Sequence, residues 1–235
     1  PDREGLLETH VRSVLRQTQK VFPLYVFDGA DQPPSWFDLP HVICDSPLSI
    51  YQAWNVAVQL APTDLVQNLN LDDRLFRNSV AVFSTVIQAT QADLVGGEWL
   101  LSFDQGALGD KDTEDYVWSI YSLNKTEFSP EWPPSNTSAL QRLGSGTGER
   151  GTFGPSTMWR KSTTGGSYPS RFVNSELIKS AGDAFFWKEL QAASRTCIRL
   201  PFIVGRYHSA PESQAEFRAN SDMDHYKSGL LWSVK

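Results

Sequence analysis

Several common features are scarce or missing in this chain, and each absence excludes something. Among its 235 residues there are two cysteines, Cys44 and Cys197, far apart in sequence and each within an apolar strand-like run. That excludes a disulfide framework and predicts buried, unpaired thiols in a reducing compartment. No Cys and His residues fall at the spacing of a zinc site. No run approaches the roughly 20 apolar residues of a membrane-spanning helix, and no secretory signal opens the sequence. A cytoplasmic protein, membrane-peripheral at most, is therefore the expectation. Lys and Arg number 21 against 27 Asp and Glu, a formal charge of -6, and the cations are dispersed. A nucleic-acid surface needs clustered cations, so this balance excludes a broad one while allowing local basic pockets. Internal repeats are absent as well. The run Gly144-Ser145-Gly146-Thr147-Gly148 lacks the Lys-Ser/Thr ending of a P-loop and no strand precedes it, so it reads as a loop.

What is present is an ordinary globular composition, 40% hydrophobic and 20% charged, in a length that suits one α/β domain. Eight Trp are the compositional surplus; large aromatics serve either the core or the flat face of a ring-shaped ligand. Leu7, Val11, Val14 and Leu15 recur at helical spacing and predict a helix over residues 4–19. Strands are predicted at 24–27 and 41–44, and a helix at 47–60 that stops before Pro62. A third strand is predicted at 65–71, a helix at 77–90 and a strand at 92–95. Residues 102–150 carry many acids, prolines and glycines and read as irregular, mobile structure. Regularity returns at 154–161, with a helical stretch near 174–193 and a last strand at 198–204. Apolar strands alternating with amphipathic helices predict βαβ units and a mainly parallel sheet.

The first three strands all end on Asp: Asp28, Asp45, and the pair Asp72-Asp73 that closes Gln67-Asn68-Leu69-Asn70-Leu71. Ligands of open α/β sheets bind beyond the carboxyl ends of the strands, where these acids would line one rim. Two adjacent carboxylates repel unless a cation lies between them and an anionic ligand. Turns and helix starts also favour Asp, so the pair alone leaves both readings open.

Four segments taken in order resemble the family 2 glycosyltransferases, which have a GT-A fold. Leu7 to Thr18 is similar to the family's first helix, which often ends in a Ser-x-Leu-x-Gln-Thr pattern, and 24–31 to its next strand and Asp-Gly-Ser turn, with Ala30 in place of Ser. Residues 51–73 resemble its helix, strand and Asp-x-Asp-like motif. Gly165-Gly166-Ser167-Tyr168 followed by Gly182-Asp183-Ala184-Phe185-Phe186-Trp187 resembles its acceptor-side segment. The resemblance covers most of residues 4–207 and is weakest at 102–150. It implies a single GT-A domain over 1–235, a Rossmann-like sheet with flanking helices and a loop-rich C-terminal half. Residues 1–100 would bind the nucleotide sugar and 101–235 the acceptor.

Carried over, the resemblance makes Asp72 and Asp73 the metal and donor-diphosphate site, with Asn70 replacing the first acid of the motif. It places Asp28 near the nucleotide base or ribose and His208 as a further metal ligand, with Mn or Mg as the cation. Asp183 becomes the general base, and Tyr168 and Trp187 border the acceptor. The chemistry suits these residue types: carboxylates bind hard cations, and a carboxylate takes the proton of an attacking hydroxyl. Asp183 also opens an apolar helical run, where a carboxylate serves equally as a cap. The family normally begins with a strand that holds the nucleotide, whereas this sequence opens almost directly on the first helix. The expected partners are a nucleotide-diphosphate sugar, uridine-linked, and a carbohydrate or other hydroxyl acceptor, joined by an inverting displacement. A catalytically inactive binding member of the family is the first alternative. A nucleotidyltransferase is the second, without its usual Gly-rich, basic signature loop.

Overall fold

Alternation along the strands decides where the core sits. In Leu94-Val95, Leu94 packs on one side of the sheet with Val66, Trp159, Tyr168 and Phe186, while Val95 packs on the other with Phe83, Ile87 and Met158. Successive strand residues point to opposite faces, so these two clusters are the two sides of one sheet. The protein was described from a computed structural model, which describes residues 3–102, 128–129, 140–143, 153–172, 174–179, 182–193 and 195–208.

The elements run α1 (Arg3–Leu15), β1 (Tyr25–Asp28), β2 (His41–Cys44), α2 (Ile50–Leu60), β3 (Leu65–Gln67), β4 (Arg74–Leu75), α3 (Ser79–Thr90) and β5 (Leu94–Ser102). After these come β6 (Phe128–Ser129), β7 (Leu140–Leu143), β8 (Met158–Arg160), α4 (Lys161–Thr164), α5 (Gly182–Ala192) and β9 (Cys197–His208). β1 and β2 form a parallel pair, and a second sheet has the order β3-β8-β5-β7-β6, with β9 beside β5 and β4 beside β9. The apolar face of α3 covers one side of this second sheet; α2 and α5 cover the other.

The predicted mainly parallel sheet is corrected to a mixed one. β5–β9 and β6–β7 are parallel, but β3–β8, β4–β9, β5–β7 and β5–β8 are antiparallel. The third strand is shorter than expected: β3 ends at Gln67, and residues 68–73 leave the ladder to form the turn that carries the acids. The irregular segment is corrected in part, because β5 runs on to Ser102, and β6 and β7 lie within 102–150. The rest of that segment, including the Gly144–Gly148 run, lies outside the described residues. The helix expected near 174–193 begins only at Gly182, since Arg171 and Leu177 form a β-bridge before it. The cysteines are free, as expected, and half-buried.

Local chemistry fixes the helix ends. Ser49 and Gln52 form a reciprocal capping box at the start of α2, and Lys161 Nζ donates to the carbonyls of Val58 (3.3 Å) and Ala61 (2.7 Å) at its end. Gln17 reaches from the end of α1 to the start of α3, donating to Phe76 O (2.9 Å) and accepting from Val80 N–H (3.1 Å).

The β4–β9 contact depends on Gly205. A Cβ there would lie 2.3 Å from the Arg74 carbonyl oxygen and 2.5 Å from the Trp99 ring. Gly205→Ala is therefore expected to lower the unfolding free energy by roughly 1–3 kcal/mol or more through overpacking. Urea unfolding of the variant measures this, and a loss below about 0.5 kcal/mol would show that β4 and β9 are not in close contact.

Candidate active site

A cavity of about 1470 Å³ lies between α1, α2, β1 and β3, with Tyr25, Phe27, Trp54 and Val66 among its lining residues. β1 and β3 both line it and belong to separate sheets. Asp28 closes β1 at this cavity, while Asn70 and Asp72, in the turn after β3, line it as well. Asp28 is the last residue of β1, whereas Asn70 and Asp72 lie beyond the last residue of β3, Gln67. One oxygen of Asp28 already accepts from the Leu48 N–H at 2.6 Å, which orients the carboxylate and ties the end of β1 to the β2–α2 connection. Asp45 is exposed one residue beyond β2 and is absent from the lining.

The acid pair divides into two different environments. Asp72 is half-buried and lines the cavity, whereas Asp73 is 0% exposed. β4 and β9 pair antiparallel with Arg74 opposite Arg206, which brings His208 near enough for its charge to act on Asp72 and its N–H on Asp73. Burial raises the Asp72 carboxyl above its ordinary range, and its own backbone N–H, His208 and Arg74 moderate the rise. Asp73 is raised further, first by burial and then by the Asp72 charge. The His208 N–H and the Asn70 amide moderate it, but neither Asp73 oxygen makes a hydrogen bond of normal geometry. His208 is 9% exposed and its Nδ1 is a buried atom without a partner.

Arg74 holds this turn in place. Its Nη1 donates to the carbonyls of Leu71 and Asp73, both at 2.7 Å. Its Nη2 reaches α1 at Leu6 O (3.1 Å) and at the Thr9 hydroxyl. A fully buried guanidinium beside two acids also offsets part of their mutual repulsion. Arg74 was not among the residues singled out from the sequence. The signal was its place immediately after a doubly acidic turn. His10 was passed over too: it is buried, its Nδ1 lies 3.0 Å from Tyr25 Oη, and burial drives its pKa down to about 3, which keeps it neutral.

The fit of a divalent cation can be tested on these donors. Asp73 and His208 carry buried atoms without a normal hydrogen bond and act electrostatically on or with Asp72, and carboxylate oxygen and imidazole nitrogen are donor types that suit Mn, or Mg with fewer protein ligands. Among the described residues, no three His, Cys, Asp or Glu side chains form a ready-made metal cage. Such a donor set fits a cation completed by ligand oxygens better than one enclosed by protein.

Asp183 stands in the first turn of α5, partly buried, where its Oδ1 accepts from the Ala184 N–H at 2.8 Å. Burial pushes its pKa up to about 6, against the lowering effect of the Ala184 and Asp183 backbone N–H groups. It does not line the cavity between β1 and β3. Tyr168 and Trp187, assigned above to the acceptor, are 2% and 4% exposed and sit in the core between the sheet, α2 and α5. They face side chains rather than an open surface, because large aromatics bury readily wherever a sheet and a helix meet.

No family model matches the sequence, and no curated protein matches it. Among solved structures, the chain is similar to the crystal structure of S. aureus TarS 1–349 in complex with UDP, with a TM-score of 0.56 and 14% identity. The two chains share a fold. The likeness covers 92% of this chain but only 60% of that one. At this identity the fold alone is shared and the chemistry is a separate question, decided by the residues of the site.

Proposed function

We propose that the protein transfers a glycosyl group from a nucleotide-diphosphate sugar, uridine-linked, to an acceptor hydroxyl with inversion. The observation that carries this reading is Asp72 in the turn after β3, lining a cavity shared with Asp28 and Asn70 and close enough to His208 to feel its charge. The UDP named in the structure of the similar protein supports the choice of donor.

Asp28, already tethered through one oxygen, has the other free to accept from a ribose hydroxyl or the base. Asp72, with His208 and Asp73 close by, would hold Mn or Mg against the donor diphosphate. When bound, the cation neutralises the charge that grows on the leaving diphosphate. Asp183 accepts the proton of the attacking hydroxyl; a pKa near 6 leaves it ionised at neutral pH yet basic enough to take a proton. A single displacement inverts the anomeric centre.

A panel of nucleotide sugars with Mn or Mg, scored for release of the nucleoside diphosphate and by thermal shift, tests the proposal. Turnover of at least one uridine-linked donor, dependent on the metal, is expected, with NMR showing inverted product. Retained anomeric configuration would overturn the mechanism. Asn70 in place of a carboxylate, and the lack of pairing between β1 and β3, favour a second reading in which the site only binds. Metal-dependent binding without turnover of any donor would establish that one.

A further inference from the structure

Tyr168 makes a larger set of polar contacts than a core tyrosine requires. Its backbone N–H donates to Asn55 Oδ1 (2.6 Å), and Asn55 Nδ2 donates back to its carbonyl (2.8 Å), so one side chain of α2 grips both polar groups of the peptide. The Tyr168 hydroxyl accepts from Trp159 Nε1 (2.8 Å) and donates to Asn68 Oδ1 (2.9 Å). Asn68 in turn donates to Pro155 O (3.1 Å), and its own carbonyl accepts from the Ser156 hydroxyl. Gln67 Nε2 completes the lattice at Ser156 Oγ, 2.9 Å away.

Two ends of this network matter. Asn68 follows β3 directly and stands four residues before Asp72, so it fixes the start of the acidic turn. At the other end, the Tyr168 ring packs 4.8 Å from the ring of Phe186. Phe186 lies three residues after Asp183 in α5, on the same helical face one turn on. Trp159 packs on both rings, 5.4 Å from Tyr168 and 5.0 Å from Phe186. A single side chain therefore joins the strand end that bears the acids to the helix that bears Asp183. The Asp183 charge is also felt at the Tyr168 phenol.

We infer that Tyr168, gripped by Asn55 and Asn68, is a positioning residue that sets Asp183 relative to the Asp72 turn. This rests on the transferase reading above. Removing only the phenol oxygen leaves the ring in place on Phe186, orphans the Trp159 N–H and leaves Asn68 Oδ1 with only the Thr157 N–H at 3.4 Å, so the turn loses its direct bond to the segment that packs on α5 while the core stays filled. A residue needed only for the core would respond in stability alone.

The test compares Tyr168→Phe and Asn68→Ala, singly and together, with the wild-type protein. We expect kcat to fall at least tenfold in Tyr168→Phe with KM for the nucleotide sugar within twofold. The double variant should lose little more than the worse single one, as members of one network do. Separately, 13C NMR titration of the Asp183 carboxyl without substrate should move by half a pH unit or more in Tyr168→Phe. A lowered Tm with unchanged kcat and an unmoved Asp183 titration would overturn the inference. If wild-type protein turns over no donor, the transferase reading fails, and the NMR titration alone then decides whether Tyr168 positions Asp183.

Discussion

Asp183→Asn is expected to lower kcat by about 10²–10⁴-fold, the usual worth of a general base, while nucleotide-sugar binding stays within a factor of about two. The substitution separates the two roles a carboxylate can play at the start of α5. Asn caps a helix as well as Asp does, so a residue that only capped would lose almost nothing. A base loses its proton acceptor altogether. The pH profile gives an independent check, since burial sets the Asp183 pKa at about 6. The acid limb of kcat/KM should fall near that value, with activity lost as the pH drops below it. Stability should move the opposite way. The folded pKa exceeds the unfolded value of 3.8, so the native state binds the proton more tightly. The stability associated with this group is full below about pH 4 and is lost as the pH rises through 6. At pH 7 the ionised carboxylate then lowers stability by roughly 2–3 kcal/mol, before allowance for its partial exposure. Asp183→Asn should thus raise Tm at pH 7 and flatten its dependence between pH 4 and 6. Calorimetric scans beside steady-state kinetics measure both, and unchanged turnover in the variant would remove Asp183 from the chemistry.

Much of this arrangement is written in short-range patterns. The β2 boundaries coincide with the apolar run His41–Cys44, and β1 ends on the Asp that closes its own run, because a sequence break and a structural break share one cause there. The acidic turn stood out by its adjacent carboxylates, although β3 ends at Gln67, before the apolar run does. Pairing direction was not, since it depends on partners distant in sequence: β3 pairs with β8, about ninety residues on, and β4 has two residues in all. Gly96-Gly97 imitates a turn and hid the length of β5, which continues through it with a break in its register against β9 between Gly96 and Trp99. The glycine is demanded there by packing, as a Cβ on Gly96 would lie 1.9 Å from the Phe153 carbonyl oxygen. Tyr168 and Trp187 show another limit, for an aromatic beside a functional segment carries the same letter whether it faces ligand or core. Asn55 and Asn68 gave no signal at all. An amide has neither charge nor periodicity to mark it, and its role exists only once α2, β3 and the Tyr168 segment have met.

The two carboxylates at the end of β3 are expected to respond unequally to removal of their charge. Asp72 lines the cavity and Asp73 is fully buried, so on the proposed reading only the first would present its oxygens to a donor diphosphate and its cation. Asp72→Asn should therefore weaken Mn-dependent UDP binding by more than about 100-fold, beyond the roughly 10–100-fold that supporting groups around a metal are worth. Asp73→Asn and His208→Ala should fall within that lower range. The variants should also part in stability. Asp73 pays for burial with a carboxyl held well above its usual range by desolvation and by the Asp72 charge. The isosteric amide removes that repulsion, leaves the Arg74 bonds to the backbone of the turn intact, and should leave the apo protein at least as stable as the wild type. Isothermal calorimetry with UDP, in the presence and absence of Mn, measures the binding terms, and thermal unfolding of the apo proteins measures the rest. Equal losses at the two positions would make the pair a shared ligand, whereas full metal-dependent binding by Asp72→Asn would take the cation out of this turn.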